Sequence, residues 1–149
     1  LGRYNVTTQL ANTQLADRQS FLLASNGDKW LVNAYYKSGI FRETRNGWQY
    51  FKLSDSFGGD EIHTGIIQST DGTIWIGGLG KLYVYKNYQW QIFAAPNFPM
   101  PTSRIVVFES TDGSMWLLGI MGEVYRIDLS DNRWVTYKNL NFGFKDNLQ

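Results

Sequence analysis

The sequence predicts an all-β chain in which a four-stranded unit recurs three times, and three observations carry that prediction. First, the segments SNGDKWLV (25–32), STDGTIWIG (69–77) and STDGSMWLLG (110–119) align with one another. Each has Asn-Gly or Asp-Gly with a tryptophan three positions after the glycine: Gly27/Trp30, Gly72/Trp75 and Gly113/Trp116. Second, Trp48, Trp90 and Trp134 follow those tryptophans by 18, 15 and 18 residues, each with an aromatic residue three positions later (Phe51, Phe93, Tyr137). Third, the glycine-to-glycine steps are 45 and 41 residues, which suits the ~40–45 residues of a four-stranded propeller blade. All six tryptophans of the 149-residue chain are consumed by two positions of this unit.

The elements of the unit follow in order. A first strand is carried by Phe21-Leu22-Leu23, Ile66-Ile67 and Ile105-Val106-Val107-Phe108. Asn-Gly and Asp-Gly tolerate positive φ, so a two-residue hairpin is expected next. The second strand bears the first tryptophan. The third is Gly39-Ile40-Phe41, Leu82-Tyr83-Val84-Tyr85 and Glu123-Val124-Tyr125-Arg126-Ile127. Polar turns at 45–47, 86–88 and 130–132 lead to the fourth strand and the second tryptophan. Residues 10–23 also have a spacing compatible with a turn of helix.

Repeated four-stranded antiparallel units are the blades of a β-propeller, in which neighbouring sheets cover one another's faces. The tryptophans are therefore read as packing residues between blades, with sugar stacking the alternative for Trp48, Trp90 and Trp134. Projected backwards, the repeat places Tyr4 in the slot of the second tryptophan. The chain thus reads as one partial propeller over 1–149. An outer strand of a preceding blade falls at 1–10, blades at 20–52, 64–94 and 104–138, and a link toward a further blade at 139–149. Three blades are too few to close a ring. The expected partners are the remaining blades of a longer parent chain, or a second copy, which would bring the total to six.

Composition narrows the function. Fourteen basic and thirteen acidic side chains give a net charge of +1, no electrostatic footprint for a nucleic-acid partner. No cysteine and a single histidine, His63, exclude disulfides, thiolate sites and multi-histidine metal centres. No cofactor is implied. No apolar run approaches the ~18 residues of a membrane span, so no membrane contact is expected of this segment.

Residues 66–93 and 106–137 resemble the two-component regulator propeller repeat: an apolar strand, an Asp-Gly turn, Trp followed by a glycine-containing stretch, a Leu-Tyr-like strand, and a tryptophan before an aromatic residue. Residues 21–51 follow the pattern with Asn26 in place of Asp71 and Asp112, and with a longer loop at 33–38. The resemblance implies the extracytoplasmic, periplasmic sensor of a bacterial membrane-bound histidine kinase, hybrid kinases included. It implies a non-catalytic module that binds a small polar ligand such as an oligosaccharide. Two other readings are a self-assembling lectin-like or protein-interaction scaffold, and a propeller enzyme resembling the streptogramin lyases, for which only His63 could supply an imidazole.

In a propeller the second-to-third strand loops and the blade-to-blade links gather on one rim. Candidate ligand-binding residues there are Asn33, Tyr35, Tyr36 and Lys37, which mix stacking and hydrogen-bonding groups. His63 beside Asp60-Glu61 and Arg104 at the end of the next link complete the set. No catalytic or metal-ligating residue is assigned. Gly77-Gly78-Leu79-Gly80-Lys81 lacks both the spacing and the following helix of a phosphate loop, and Asp71 and Asp112 are read as turn residues.

Overall fold

Alternating apolar and polar residues between tight turns give the chain twelve strands. The computed structural model describes residues 19–33, 39–53, 57, 65–95, 97–101, 103–119, 122–131 and 133–137. The first sheet contains β1 (Gln19–Leu23), β2 (Lys29–Asn33), β3 (Gly39–Thr44) and β4 (Gly47–Phe51). The second contains β5 (Gly65–Gln68), β6 (Ile74–Gly77), β7 (Leu82–Lys86) and β8 (Gln89–Ile92). The third contains β9 (Ile105–Glu109), β10 (Met115–Gly119), β11 (Val124–Asp128) and β12 (Arg133–Tyr137). Every sheet is antiparallel with its strands in chain order. Strand β1 lies beside β5, and β5 beside β9, so the first strands line one side of the stack. The described residues are propeller blades that do not close a ring. Residues 19–23 are strand rather than helix; 1–18 and 138–149 lie outside the described residues, with the strand expected at 1–10 and Tyr4.

The Asx-Gly turns differ from expectation. Ser69 and Thr73 close the hairpin, with Ser69 N–H donating to Thr73 O (2.8–2.9 Å for this bond and that from Gly72 N–H to Ser69 O). The loop therefore holds three residues, not two. Only its glycine is left-handed, at φ 84° for Gly72, with 88° and 80° at Gly27 and Gly113. The acidic residue is there for its side chain. Asp71 Oδ1 accepts the N–H of Thr73 at 3.1 Å, as Asn26 does from Asp28 and Asp112 from Ser114, both at 3.0 Å. This local bond satisfies a donor that the ladder leaves free. A two-residue turn with both residues left-handed does occur, between β7 and β8, at Asn87 (φ 53°) and Tyr88 (φ 63°).

Two apolar layers hold the sheets together. Trp30, Val32 and Ile40 of the first sheet meet Ile66, Ile74, Ile76, Tyr83 and Tyr85 of the second. Trp75, Leu82 and Val84 on the other face of the second sheet meet Ile105, Val107, Met115, Leu117, Tyr125 and Ile127. Trp30 packs edge-on against Tyr85 (5.1 Å) and Trp90 (6.0 Å), and burial of each such side chain contributes about 1.5–3 kcal/mol or more. Trp75 is anchored further, its Nε1 donating to Ser69 Oγ at 3.0 Å. Trp90 and Trp134 pack at the margins of these layers, while Trp48 is more open, 37% exposed.

Candidate functional site

Antiparallel alternation sends the connections to two opposite rims. The hairpin turns β1–β2 and β3–β4, with their counterparts, form a turn rim. The β2–β3, β6–β7 and β10–β11 loops, with the links between sheets, form a loop rim, where the sequence places the ligand.

At the loop rim, the backbone of 78–81 pairs with the following link. Gly80 N–H donates to Ser103 O and Ile105 N–H to Gly78 O, both at 3.0 Å, and Leu79 bridges Arg104. Gly78 N–H donates to Lys81 O. The glycine-rich stretch is thus a seam between two sheets, with the Gly80 amide spent across it and the Gly78 amide spent on Lys81. Lys81 Nζ donates to Phe57 O at 2.8 Å, tying the β4–β5 link to the same rim.

Of the residues expected to bind, Asn33 ends β2, its backbone paired with Gly39. Tyr35, Tyr36, Lys37 and His63 lie outside the described residues. Arg104 is half-buried, and its side chain makes no hydrogen bond or ion pair among the described residues. Next to it Ser103 is buried. Glu123, at the foot of β11, has a buried Oε2 without a hydrogen-bond partner. A Cβ on Gly119 would fall 2.3 Å from that oxygen and 2.9 Å from Ser103 Oγ, so Gly119 brings the carboxylate and the hydroxyl together. The rim of the third sheet therefore holds a cation and a carboxylate oxygen, neither neutralised by a described neighbour. Sequence reasoning found Arg104 and missed Ser103 and Glu123. The available signal was an acid, Glu123, at the start of the third strand.

The turn rim holds a second polar feature that the sequence reading did not single out. Arg42 is buried, although the residue paired with the repeat tryptophan at this point of β7 is Val84. Its Nε and Nη2 reach Asp28 Oδ2 at 2.8 and 2.5 Å, and Nη1 donates to Tyr85 Oη at 2.8 Å. The guanidinium also lies 5.2 Å from the Trp30 ring and 5.7 Å from Tyr88. Burial raises the Tyr85 hydroxyl above its ordinary range, against the opposing pull of Arg42, so it stays a neutral acceptor. Asp71, Lys86, Asn87 and Tyr88 border the adjoining cleft of about 230 Å³. Burial pushes the Asp71 carboxyl up, but hydrogen bonds from Lys86, Ser69 and Thr73 together hold it well below the usual carboxylate range. Arg42, Asp28, Tyr85, Asp71 and Lys86 are already partnered within the protein, and the Arg42–Tyr85 bond braces the first sheet against the second. Among the described residues no cluster of three or more acidic or histidine side chains is placed to hold a metal ion.

No family model matches the chain, and no curated protein matches it by sequence. Solved structures do. The chain superimposes with a TM-score of 0.66 and 19% identity on the extracellular domain of BT3049 from B. thetaiotaomicron, assigned to a hybrid two-component system; 92% of this chain and 18% of that one are covered. The extracellular domain of BT4673 from the same organism, also assigned to a hybrid two-component system, gives 0.61 and 18%, over 84% of this chain and 18% of that one. Virginiamycin B lyase from Staphylococcus aureus gives 0.63 and 18%, over 85% of this chain and 43% of its own. The chain thus spans less than half the length of each of these structures. Among the described residues no helix is long and apolar enough to cross a membrane. The likeness establishes the propeller fold that the sequence predicted.

Proposed function

We propose that the chain is part of an extracytoplasmic sensor propeller of a two-component system, non-catalytic, and that it binds a small polar ligand at the loop rim. The observation that carries this reading is the superposition over 92% of the chain on the extracellular domain of BT3049. Arg104, which makes no ion pair among the described residues, and the unpartnered Glu123 oxygen support the location, because a ligand with both acceptors and hydroxyl donors would satisfy them. An oligosaccharide has that chemistry. The lyase likeness favours an enzymatic reading on fold alone; a single histidine in the chain leaves it one imidazole for proton transfer.

A saccharide panel read by calorimetry tests the proposal. A binder is expected whose affinity falls at least about tenfold in Arg104→Ala and Glu123→Gln, a loss of about 1.4 kcal/mol or more, and is unchanged in the turn-rim variant Tyr88→Ala. Loss in Tyr88→Ala with Arg104→Ala unaffected would move the site to the other rim. Turnover of virginiamycin B by the chain would replace the sensor reading with the lyase one.

A further inference from the structure

Two sheet faces are not covered by another described sheet, and they are not equivalent. On the third sheet, Val106, Phe108, Trp116, Leu118, Val135 and Tyr137 share the outward face by register with Arg126, which is paired with Asp112. Phe108 and Trp116 stack at 6.1 Å, and Trp116 and Tyr137 at 5.2 Å. This is the same face that carries Trp30 in the first sheet and Trp75 in the second, where a following sheet covers it. The outward face of the first sheet belongs to the opposite, receiving side. There the positions of Ile74 and Tyr85, and of Met115 and Ile127, are taken by Lys29 and Glu43. Those apolar residues are buried, whereas Lys29 and Glu43 form an exposed ion pair.

Each covered seam also has a polar latch at its turn rim. Ser25 N–H of the first sheet donates to Gln68 Oε1 of the second at 2.7 Å. Thr70 N–H and Oγ1 of the second donate to Glu109 Oε2 of the third at 2.8 and 3.0 Å. The acceptor is in both cases the last residue of a first strand. Thr111 is the matching donor on the third sheet, and no described residue accepts from it. On the first sheet the matching acceptor position is Leu23, 61% exposed.

We infer that the Trp116 face is a docking surface for a further four-stranded blade whose first strand ends in Gln or Glu, and that this blade is not the first sheet of a second copy. A second copy would set Leu23 against the Thr111 donors and bury the Lys29–Glu43 pair against the third sheet, a desolvation cost set against the apolar Phe21, Leu31, Phe41 and Tyr50 of the same face. A blade built like the second or third supplies the acceptor and has an apolar pair where the first sheet has Lys29 and Glu43. This inference goes beyond the ligand reading and does not depend on it.

The test replaces residues 138–149 in two ways. One chain continues from Tyr137 with a copy of 94–137, and the other with a copy of 94–104 followed by 19–51. Relative to the chain ending at Tyr137, the first is expected to melt roughly 5 °C or more higher and to lose part of that gain when Glu109 of the added copy becomes Ala. The second is expected to show no gain, and to acquire one when its added copy carries Leu23→Gln, Lys29→Ile and Glu43→Tyr. Equal gains from the two unaltered extensions would overturn the inference. So would a natural chain that sediments as a dimer at micromolar concentration and is dispersed by Trp116→Lys.

Discussion

Trp75 and Trp116 occupy the same position of the same hairpin, three residues after a left-handed glycine, yet they live in different surroundings. Trp75 is buried to 4% exposure between two sheets, with its indole N–H fixed on Ser69. Trp116 is half-exposed and, among the described residues, its ring stacks on its own sheet, on Phe108 and Tyr137. The difference teaches that the repeat writes a side chain into every blade but lets the neighbouring blade decide its energy. Local sequence sets the strand and the turn; burial is a property of the stack.

The largest effect expected from that contrast is in stability. Trp75→Ala removes a fully covered ring and is expected to cost about 3–5 kcal/mol, while Trp116→Ala costs about 1 kcal/mol. Equal losses in denaturant unfolding would break the comparison.

Arg42 sharpens it from the polar side. Arg42→Ala leaves Asp28 and the Tyr85 hydroxyl buried without their partner and is expected to cost about 3 kcal/mol. Arg126 binds Asp112 at 2.7 Å with its side chain 38% exposed, so Arg126→Ala is expected to cost under ~1 kcal/mol. The latch comes next. Glu109→Ala removes both acceptor contacts with Thr70 and is expected to cost about 1 kcal/mol. Leu23→Ala, at the matching position of the uncovered face, is expected to change little. Urea unfolding of the two variants reads the difference.

Much of this was legible before the structure. The period of the glycines and tryptophans predicted three four-stranded sheets, and each arrived with its second-strand tryptophan where expected. The loop length was not legible, because Asx-Gly supports both a two-residue turn and a three-residue loop with one left-handed residue. The choice rests on Asx side chains capping the N–H two residues on, a bond that Asp and Asn form equally well; this is why Asn26 substitutes for Asp71 without changing the hairpin. The site was legible only in part. Arg104 stood out by its place at the end of a link, whereas Glu123 and Ser103 both crowd the space beside Gly119, which is distant in sequence from Ser103. Nor could pattern alone assign Arg42 to a buried brace. Its aspartate is two positions later than the turn acid used by Lys86 and Arg126, so the repeat obscures the pairing.

The turn acids give the smallest contrast, and it depends on pH. The hydroxyl and N–H of Ser114 hold Asp112 at about 2 in the folded protein, below the ~4 of an unfolded aspartate. A depressed carboxylate stabilises the fold above its unfolded value, and that contribution is lost as pH falls from ~4 toward 2. Asp112→Asn is therefore expected to lose less stability than the natural chain over that window, with Asp71→Asn behaving alike. Parallel acid titrations of the three proteins followed by circular dichroism would show it.

The central claim is that the outward face of the third sheet is built to be covered by a blade, and that the outward face of the first sheet, with Leu23 at the latch and the Lys29–Glu43 pair, is not its complement. Fluorine NMR of chains labelled with 5-fluorotryptophan, comparing solvent isotope shifts in water and deuterium oxide, tests this most directly. In the natural chain Trp30 and Trp75 should show no isotope shift and Trp116 a clear one. Adding a copy of 94–137 after Tyr137 should move Trp116 into the protected class, and adding 94–104 with 19–51 should leave it exposed. A Trp116 protected in the natural chain, or protected equally by both additions, would contradict the account.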